Sequence, residues 1–473
     1  MITLKFSIMI QNQARFTGTE LEAIFGASNL INIAPEAAFM GISTDTRLLK
    51  NNNIFVALKG ENIDGHTKVS ESLDKDAGCA LVLNDWYFEN KNNLTGKSFI
   101  LTSNTGLALA SLAKFHRMRF NIPVFAVAGS NGKTTTKNII SHLLQQKYNI
   151  VSTYGNFNNQ LGTPLVLLQI DESTQIAVIE IGTNEPGEIY ILSEMVAPTH
   201  GLITNIGKEH LEKLIDLDGV EMEETALFAY LMKSGGISLI NCDDPRLERY
   251  SAILENKFKY GKSEANDLIF SFDIDEELHP SICFKHESNN FAVKLKTYGL
   301  ATAYNAAAAA AVAVIYGLSS EEIIEGLESY SEESGSGYSR NLLEKSNGLI
   351  ILNDCYNANP SSMALALDSI ALLKSGGKKI AILGDMLELG EFSSEEHVEI
   401  LSKASNLLDE VYTFGPQMFA ASEKVQNNNI YKYINKAVLV ADLKGNIKIG
   451  DIILLKGSRG MKMEELLPIL REI

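Results

Sequence analysis

The sequence predicts an α/β protein with mostly parallel sheets and more than one domain. Short apolar strands alternate with helical stretches along most of the chain, a pattern that favours parallel strands joined by right-handed crossovers. One of these strands runs into a small glycine-containing loop and then a helix. With 473 residues, the chain is too long for one hydrophobic core, so about two to four domains are expected.

The strand, loop and helix form a predicted phosphate-binding motif. The loop Gly129-Ser130-Asn131-Gly132 follows a buried strand predicted at 124–128, and Lys133-Thr134-Thr135 opens the helix. Backbone N–H groups and the positive end of a helix attract phosphate oxygens, while Lys133 can reach the outer phosphates and the Thr134 hydroxyl can hold Mg²⁺. The motif lacks its usual first glycine, since Val127 stands there. An ordinary turn with a surface lysine is the alternative, but the flanking strand and helix favour nucleotide binding.

Composition narrows the possible classes of function. The net charge of −17 and the lack of a basic stripe argue against a nucleic-acid surface. The N-terminus is a poor signal peptide, and the most apolar run elsewhere, 306–315, is too short to span a bilayer. The four scattered cysteines favour reduced core thiols over disulfides or a zinc site. We therefore expect a cytoplasmic protein without membrane insertion or nucleic-acid binding.

Three regions differ in pattern. The first hundred residues contain strands predicted at 54–58 and 79–83. At 268–296 the sequence pattern changes to short strands joined by polar turns, which is typical of an antiparallel meander. Residues 331–337 are small, polar and glycine-rich, which is typical of a linker. A second α/β pattern follows the linker, with strands predicted at 349–352, 379–383, 411–414 and 452–455.

Polar residues follow several strands, at the sheet edge where open α/β sheets bind ligands. Glu180 ends a buried strand, where it can hold Mg²⁺ or simply cap a turn. His210 follows another strand and is either a ligand or a structural histidine. Asn158 and Asn159 lie in an amide-rich loop that turns the chain or binds a polar substrate. In the last region, loops begin at 353, 384 and 456, and we expect all three to meet at one sheet edge.

Several motifs in order resemble the Mur ligase family: G-S-N-G-K-T-T-T, G-N-F-N-N-Q-L-G-T-P-L, T-N-I-G-K-E-H-L-E, D-C-Y-N-A-N-P-S-S-M, L-G-D-M-L-E-L-G-E and K-G-S-R. The N-terminal S-T-D-T-R, F-V-A-L-K-G and D-G-H also fit. The resemblance implies a small α/β UDP-MurNAc-binding domain (1–104), a central ATP-binding P-loop domain with a mostly parallel sheet (105–332) and a C-terminal Rossmann-like α/β domain (333–473).

The resemblance also implies an activity. The terminal carboxylate of a UDP-MurNAc-tripeptide would be phosphorylated by ATP with Mg²⁺, and the amine of D-Ala-D-Ala would then displace phosphate, as part of peptidoglycan precursor synthesis. A carboxylate is a poor acyl donor until phosphate is its leaving group, so the chemistry is consistent with a phosphate loop and Mg²⁺. A monomer is expected.

The resemblance also implies roles for individual residues, each at the position in this sequence that matches the family's motif. The catalytic group comprises Lys133, Glu180, His210 and Glu224, with Thr134, Glu180 and His210 as Mg²⁺ ligands. The ATP-binding group comprises Gly129, Ser130, Asn131, Gly132, Lys133, Thr134, Thr135, Asn305, Arg340 and Asp354. The substrate-binding group comprises Ser43, Thr44, Arg47, Asn158, Asn159, Tyr356, Asn357 and Asn359.

Two positions depart from the family pattern. Glu224 stands where the family has a lysine carbamylated by CO₂. A glutamate is an anion that needs no CO₂, which favours a role near Mg²⁺; the alternative is one more solvated acid in the run Glu221, Glu223, Glu224. In the family's G-x-[HY]-N-x-x-N pattern, Asn305 keeps the last position, but Ala301-Thr302 replaces the aromatic–amide pair.

Other functions remain open. Relatives with the same chemistry include the ligase that adds the third peptide residue and folylpolyglutamate synthase, but the motifs of the last region favour addition of D-Ala-D-Ala. A non-catalytic Mur-ligase-like nucleotide-binding protein is the alternative from a different class, and only the two departures support it.

Overall fold

The computed structural model describes residues 11–60, 63–331, 342–374 and 376–473. These residues form two compact units. The first comprises the described residues of Met1–Ala126, Lys147–Gly182 and Glu188–His200. The second comprises those of Val127–Gln146, Thr183–Gly187 and Gly201–Ile473. The predicted division at residues 104 and 332 stays a prediction.

The strands, in chain order, are β1 Arg15–Thr17, β2 Leu30–Ile31, β3 Ala38–Met40, β4 Ile42–Ser43, β5 Ile54–Val56, β6 Cys79–Leu83, β7 Phe99–Thr102, β8 Val124–Ala128, β9 Ile150–Ser152, β10 Ile176–Glu180, β11 His200–Ile203, β12 Ile237–Asn241, β13 Lys257–Gly261, β14 Leu268–Ile274, β15 Pro280–His286, β16 Asn289–Lys294, β17 Leu342–Ser346, β18 Leu349–Asp354, β19 Lys379–Gly384, β20 Glu410–Phe414, β21 Ile430–Tyr433 and β22 Ile452–Lys456.

The α-helices are α1 Gly18–Phe25, α2 Val69–Asp74, α3 Asn84–Asn90, α4 Thr105–Arg117, α5 Lys133–Leu144, α6 Gly162–Leu167, α7 Glu188–Val196, α8 Leu211–Leu214, α9 Leu217–Glu224, α10 Ala226–Ser234, α11 Pro245–Glu248, α12 Leu300–Ile315, α13 Ser320–Ser329, α14 Pro360–Leu372, α15 Ser393–Leu407, α16 Pro416–Lys424, α17 Lys436–Asn446 and α18 Leu467–Arg471.

The first unit contains a five-stranded sheet in the order β2-β7-β6-β5-β4. All of its pairs are parallel except β2–β7. Strands β5 to β7 are almost entirely buried because apolar side chains occupy both faces, as parallel sheets require. Phe55, Val69 and Phe99 lie in the core of this sheet. Strands β9 and β10 of the same unit also pair in parallel.

The second unit contains two groups of strands. In the first, β12, β13 and β14 are parallel, and β14, β15 and β16 continue as an antiparallel meander. In the second, a six-stranded sheet runs β17-β18-β22-β19-β20-β21, with only β17 antiparallel. Leucines and isoleucines on its two faces enter separate cores, so this sheet is covered on both sides. The predicted α/β class with mostly parallel sheets is confirmed.

The predicted strands and helices lie close to the observed ones. The meander predicted at 268–296 corresponds to β14, β15 and β16, and the strand predicted at 349–352 lies within β18. Several short strands were not predicted, including β13, β17 and β21. The linker predicted at 331–337, apart from Ser331, lies outside the described residues. No helix within the described ranges is long and apolar enough to cross a bilayer.

The expectation for the cysteines was partly wrong. All four are free, but only Cys79 and Cys355 are buried, while Cys242 is half-buried and Cys283 is exposed. Cys283 lies in β15, whose side chains alternate between buried and exposed positions, and it occupies an outward position. Strand register, rather than the apolar character of the thiol, decides its exposure.

Candidate active site

Two glycines shape the phosphate loop between β8 and α5. Gly129 has φ +113° and Gly132 has φ +79°, in the region that side chains rarely adopt. A Cβ at residue 129 would lie 2.3 Å from Thr204 Oγ1, and one at residue 132 would lie 2.4 Å from Asn305 Oδ1. Only glycine therefore fits at residues 129 and 132.

The T-N-I-G segment after β11 holds the phosphate loop in place. The Asn131 carbonyl accepts hydrogen bonds from Thr204 Oγ1 at 2.6 Å and Asn205 Nδ2 at 3.0 Å. Ser130 Oγ donates to the Gly207 carbonyl at 3.1 Å and accepts from the Gly207 N–H at 2.8 Å. These bonds fix the loop before any ligand binds, which lowers the cost of ordering it around phosphates.

Lys133 is directed at the loop and at a buried carboxylate. Its Nζ donates to the carbonyl of Gly129 and, at 3.4 Å, to the carbonyl of Ser130. The same atom lies 3.6 Å from Glu209 Oε2, and both side chains are largely buried. Thr134, the next residue, is buried at the first turn of α5, and Thr135 is half-buried.

Glu224 lies under the phosphate loop. It is fully buried at the end of α9, and its Oε2 accepts the Gly129 N–H at 2.7 Å. Its Oε1 and Glu209 Oε1 accept no hydrogen bond from the described residues. Burial and the neighbouring Glu209 carboxylate together raise the pKa of Glu224 to about 8, although the charge of Lys133 and the Gly129 N–H act to lower it. Glu224 is therefore largely protonated near neutral pH, beside a cation and a second carboxylate.

The alternative of a solvated acidic run is wrong for this helix. Glu221, Glu223 and Glu224 are all buried, each with different partners. Glu221 pairs with Arg246 at 2.8 Å and with Arg249, and Glu223 Oε2 accepts the Gly187 N–H at 2.6 Å. Sequence spacing alone could not show this, because α9 packs on more than one side.

His210 is held by the last region of the chain. Its Nδ1 lies 2.6 Å from Glu388 Oε2, and its Nε2 lies 3.9 Å from Glu209 Oε2. The sequence predicted a role for His210, but no role was predicted for Glu209 or Glu388. Their only signal was membership in the same motifs, K-E-H-L-E and D-M-L-E-L.

A cavity of about 770 Å³ adjoins the loop. Asn131, Gly132, Asn305 and Tyr304 are among its lining residues. Asn305 Oδ1 accepts from Thr136 Oγ1 at 3.2 Å, so the predicted ATP-binding asparagine is fixed to α5. The volume suits a nucleotide-sized ligand.

The surroundings of Ala301 and Thr302, where the sequence departs from the family pattern, can be described from the structure. Ala301 lines the cavity, whereas Thr302 is buried and its Oγ1 donates to the Tyr298 carbonyl at 2.8 Å. Tyr304 supplies an aromatic ring to the same cavity, and Lys262 Nζ donates to its hydroxyl at 2.9 Å. The cavity therefore contains an aromatic residue three positions after the expected one.

The three loops of the last region meet as predicted. Lys456 Nζ donates to Asp354 Oδ2 at 2.6 Å and to the Asn357 carbonyl at 3.0 Å. Ser458 accepts the Leu387 N–H at 2.8 Å on its Oγ and donates to the Ala358 carbonyl at 3.1 Å. The parallel order β18-β22-β19 brings these strand ends together. Tyr356 is half-buried and Asn357 exposed at this edge.

One of these loops reaches the phosphate loop. Asn359 Nδ2 donates to Asn131 Oδ1 at 2.9 Å, and Asn359 Oδ1 also accepts the Ser362 N–H at the start of α14. A residue predicted to bind substrate thus contacts one predicted to bind ATP. Lys208 and Glu396 form a further ion pair in this unit.

Glu180 and the amide-rich loop belong to the first unit. Glu180 is buried, its Oε1 accepts from Asn158 Nδ2 at 2.8 Å, and its N–H donates to Thr153 Oγ1 at 2.9 Å. Asn159 Oδ1 accepts the N–H groups of Leu161 and Gly162 and so caps a turn. Asn158 therefore orients the carboxylate that the resemblance assigns to Mg²⁺.

The predicted UDP-site residues lie at the end of β4 and directly after it, in the same unit. Ser43 Oγ donates to the Asp45 carbonyl at 2.9 Å, Thr44 is half-buried, and the exposed Arg47 pairs with Asp45. The Arg47 guanidinium lowers the pKa of Asp45. Arg340 lies outside the described residues.

Comparison with known proteins agrees with this geometry. Residues 127–313 match the Mur ligase middle domain, and residues 341–459 match the Mur ligase glutamate ligase domain. The UDP-N-acetylmuramoyl-tripeptide–D-alanyl-D-alanine ligase of Bacillus subtilis is 35% identical over 438 residues, covering 91% of this chain and 93% of the relative. The chain therefore belongs to the Mur ligase family, whose members are ATP-dependent ligases that form C–N bonds.

Two solved structures of MurF ligases are similar to this chain over nearly its whole length. MurF from Acinetobacter baumannii superposes with a TM-score of 0.86 at 26% identity, covering 98% of this chain and all of that one. MurF ligase from Thermotoga maritima in complex with ADP gives a TM-score of 0.78 at 28% identity, covering 91% and 97%. The family expectation from the sequence is confirmed.

Proposed function

We propose that this protein is an ATP-dependent ligase that adds D-alanyl-D-alanine to a UDP-N-acetylmuramoyl-tripeptide in cytoplasmic peptidoglycan precursor synthesis. The observation that carries the proposal is the contact between Asn359 and Asn131, which joins the loops of the last region to the phosphate loop. The ligases named above are relatives along nearly the whole chain. We also propose that the protein acts as a monomer.

The reaction has two steps. A carboxylate oxygen of the tripeptide attacks the γ-phosphorus of ATP, the bond to the β-phosphate oxygen breaks, and ADP leaves. The amine nitrogen of D-Ala-D-Ala then attacks the acyl carbon, phosphate leaves with the bonding electrons, and the amine loses a proton. Lys133, held over the loop carbonyls, is placed to neutralise charge on the transferring phosphoryl group.

Mg²⁺ is the cation implied, and the residues fit it. Within the described ranges no group of three or more His, Cys, Asp or Glu side chains could hold a metal alone. Mg²⁺ keeps several waters and shares phosphate oxygens, so it needs few protein ligands. Glu209 and Glu224 add two buried carboxyl groups beside Lys133. Thr134 and His210 of the second unit, and separately Glu180 of the first unit, would be Mg²⁺ ligands, and Mg²⁺ would neutralise phosphate charge.

The remaining predicted residues receive roles on the same basis. Ser43, Thr44 and Arg47 would bind the UDP portion, since a guanidinium and hydroxyls suit phosphate oxygens. Tyr356, Asn357 and Asn359 would bind the incoming dipeptide at the edge where the three loops meet. Asn305 would contact the nucleotide from the cavity, and Asp354 would position the last region through Lys456.

The first test is dependence on all substrates. Purified protein should release ADP and phosphate only when ATP, Mg²⁺, the UDP-MurNAc-tripeptide and D-Ala-D-Ala are present together, because the amine completes turnover. Coupled ADP release and mass spectrometry of the product measure this. The same rate without the dipeptide would contradict the proposed reaction. ATP binding with no turnover on any substrate combination would favour the non-catalytic alternative.

The second test concerns Glu224 as a substitute for the family's carbamylated lysine. Activity should not change when bicarbonate is removed or added, because the carboxyl group of a glutamate does not form from CO₂. Glu224→Lys should lose most activity in CO₂-free buffer and recover part of it with bicarbonate. Stimulation of the unmodified protein by bicarbonate would contradict the substitution.

A further inference from the structure

We propose that Glu388 is a positioning residue for His210, so that seating of the loop at 384–391 and binding of a divalent cation at His210 favour one another. The inference rests on the proposed cation role of His210. It goes beyond that role because the carboxylate that would orient the imidazole comes from the C-terminal region, far along the chain.

The first support is the contact itself. His210 Nδ1 lies 2.6 Å from Glu388 Oε2, a charge-assisted hydrogen-bond distance. A neutral imidazole that donates its Nδ1–H to this carboxylate keeps its lone pair on Nε2, the atom on the side of Glu209. Histidines that bind metals usually donate their other ring N–H to a carboxylate, which fixes the tautomer and ring orientation.

The second support is that packing, rather than two flexible side chains, sets the contact. The Glu212 N–H donates to the Glu388 carbonyl at 3.1 Å. Leu211 and Leu214 lie in one buried core with Met386 and Leu389, so each polar residue is flanked by core residues of its own segment. The pairing of Glu388 with His210 therefore forms only when these two segments pack together.

The third support is the backbone. His210 has φ +48° and Glu388 has φ +64°, a conformation uncommon outside glycine. Residues held in such conformations cluster at ligand clamps and switch regions, where surrounding structure over-determines them. Both members of the pair adopt it, and both side chains point at each other.

The consequence is a thermodynamic linkage. If seating of the loop orients His210 and thereby strengthens cation binding by some factor, cation binding strengthens seating by the same factor. The ion pair Lys208–Glu396 and the bond between Asn359 and Asn131 are other links to the C-terminal region. Loss of Glu388 alone should therefore weaken the linkage without unfolding the protein.

The experiment measures cation affinity with Mn²⁺ on the full chain, by electron paramagnetic resonance of free Mn²⁺ at a saturating non-hydrolysable ATP analogue. Glu388→Gln should weaken Mn²⁺ binding by about 10- to 100-fold, as loss of an outer carboxylate typically does. Glu391→Gln, the same change at an exposed residue three positions on, should leave the affinity unchanged. Equal melting temperatures of the two variants would show that folding is intact.

A double-mutant cycle separates this inference from the proposed function. His210→Ala should weaken Mn²⁺ binding, and Glu388→Gln should add little in that background, because Glu388 acts through His210. Additive losses, or a Glu388→Gln variant with unchanged affinity, would overturn the positioning role while leaving His210 as a ligand. If His210→Ala binds Mn²⁺ as the unmodified protein does, the cation assignment in the proposed function fails and this inference fails with it.

Hydrogen exchange supplies a readout of the reciprocal effect. Mg²⁺ with the same analogue should slow exchange in peptides covering 210–216, since the Glu212 N–H is bonded to Glu388. The slowing should be lost in Glu388→Gln and retained in Glu391→Gln. Equal slowing in all three proteins would contradict the linkage.

Discussion

Replacing Lys133 with alanine should lower turnover on the order of 10²- to 10³-fold, as removal of a single group that stabilises transition-state charge typically does. Lys133 Nζ lies against the carbonyls of Gly129 and Ser130, at the rim of the loop where phosphates would bind. Steady-state ADP release with all four components measures the effect. The loss should fall mainly on kcat, because the charge it stabilises develops during transfer.

Folding must be checked in this variant, because Lys133 also neutralises Glu209 at 3.6 Å. Lys147→Ala, an exposed lysine soon after the same helix, is the matched control and should behave like the unmodified protein. Melting temperatures compare the two. A Lys133→Ala variant that folds and keeps full turnover would contradict the assignment of this segment as a phosphate-binding loop.

The sequence could predict the parts of the site that are local in the chain. The strand β8, the glycine loop and the helix α5 follow one another directly in the chain. The apolar run, the turn residues and the helical spacing were therefore enough to predict them. The meeting of the loops after 353, 384 and 456 was also predictable, because carboxyl ends of parallel strands share one edge. The bonds of Lys456 and Ser458 confirm that argument.

Contacts between distant segments could not be predicted. Glu388 and His210 meet because two left-handed turns and a shared core place them together, and neither feature has a periodic signal. A run of charged residues on a helix usually marks its solvent-exposed face. Glu221, Glu223 and Glu224 are nevertheless all buried. Short strands such as β17 and β21 carry too few residues for their alternation to stand out.

The neighbourhood of Glu224 shows what this burial does to the site. One buried cation, Lys133, faces two buried carboxylates, Glu209 and Glu224, beneath a loop whose N–H groups attract anions. Two like charges in a low-dielectric site cannot both ionise cheaply, so one carboxyl keeps its proton. The proton on Glu224 is therefore a measurable property of the folded chain.

Replacing Glu224 with glutamine should raise the free energy of unfolding, and this increase should become larger as the pH rises. Burial and Glu209 raise the pKa of Glu224 from 4.5 to about 8, so between these values the folded chain holds a proton that the unfolded chain releases. Stability of the unmodified protein should thus fall as pH rises from about 4.5 to about 8, and level off above. Glutamine does not titrate, and its side-chain oxygen can still accept the Gly129 N–H.

Urea unfolding of the nucleotide-free protein from pH 5 to pH 9 measures the effect. The advantage of Glu224→Gln should be small at pH 5 and reach on the order of 2–4 kcal/mol near pH 8.5. Glu255→Gln, the same change at an exposed position, should show a constant difference across this range. The same Glu224→Gln variant should need more Mg²⁺ and turn over more slowly, since glutamine cannot lose a proton to become an anion when Mg²⁺ binds. A stability difference between Glu224→Gln and the unmodified protein that stays flat with pH would contradict the buried, protonated carboxyl, and an unchanged Mg²⁺ titration would contradict its role near the cation.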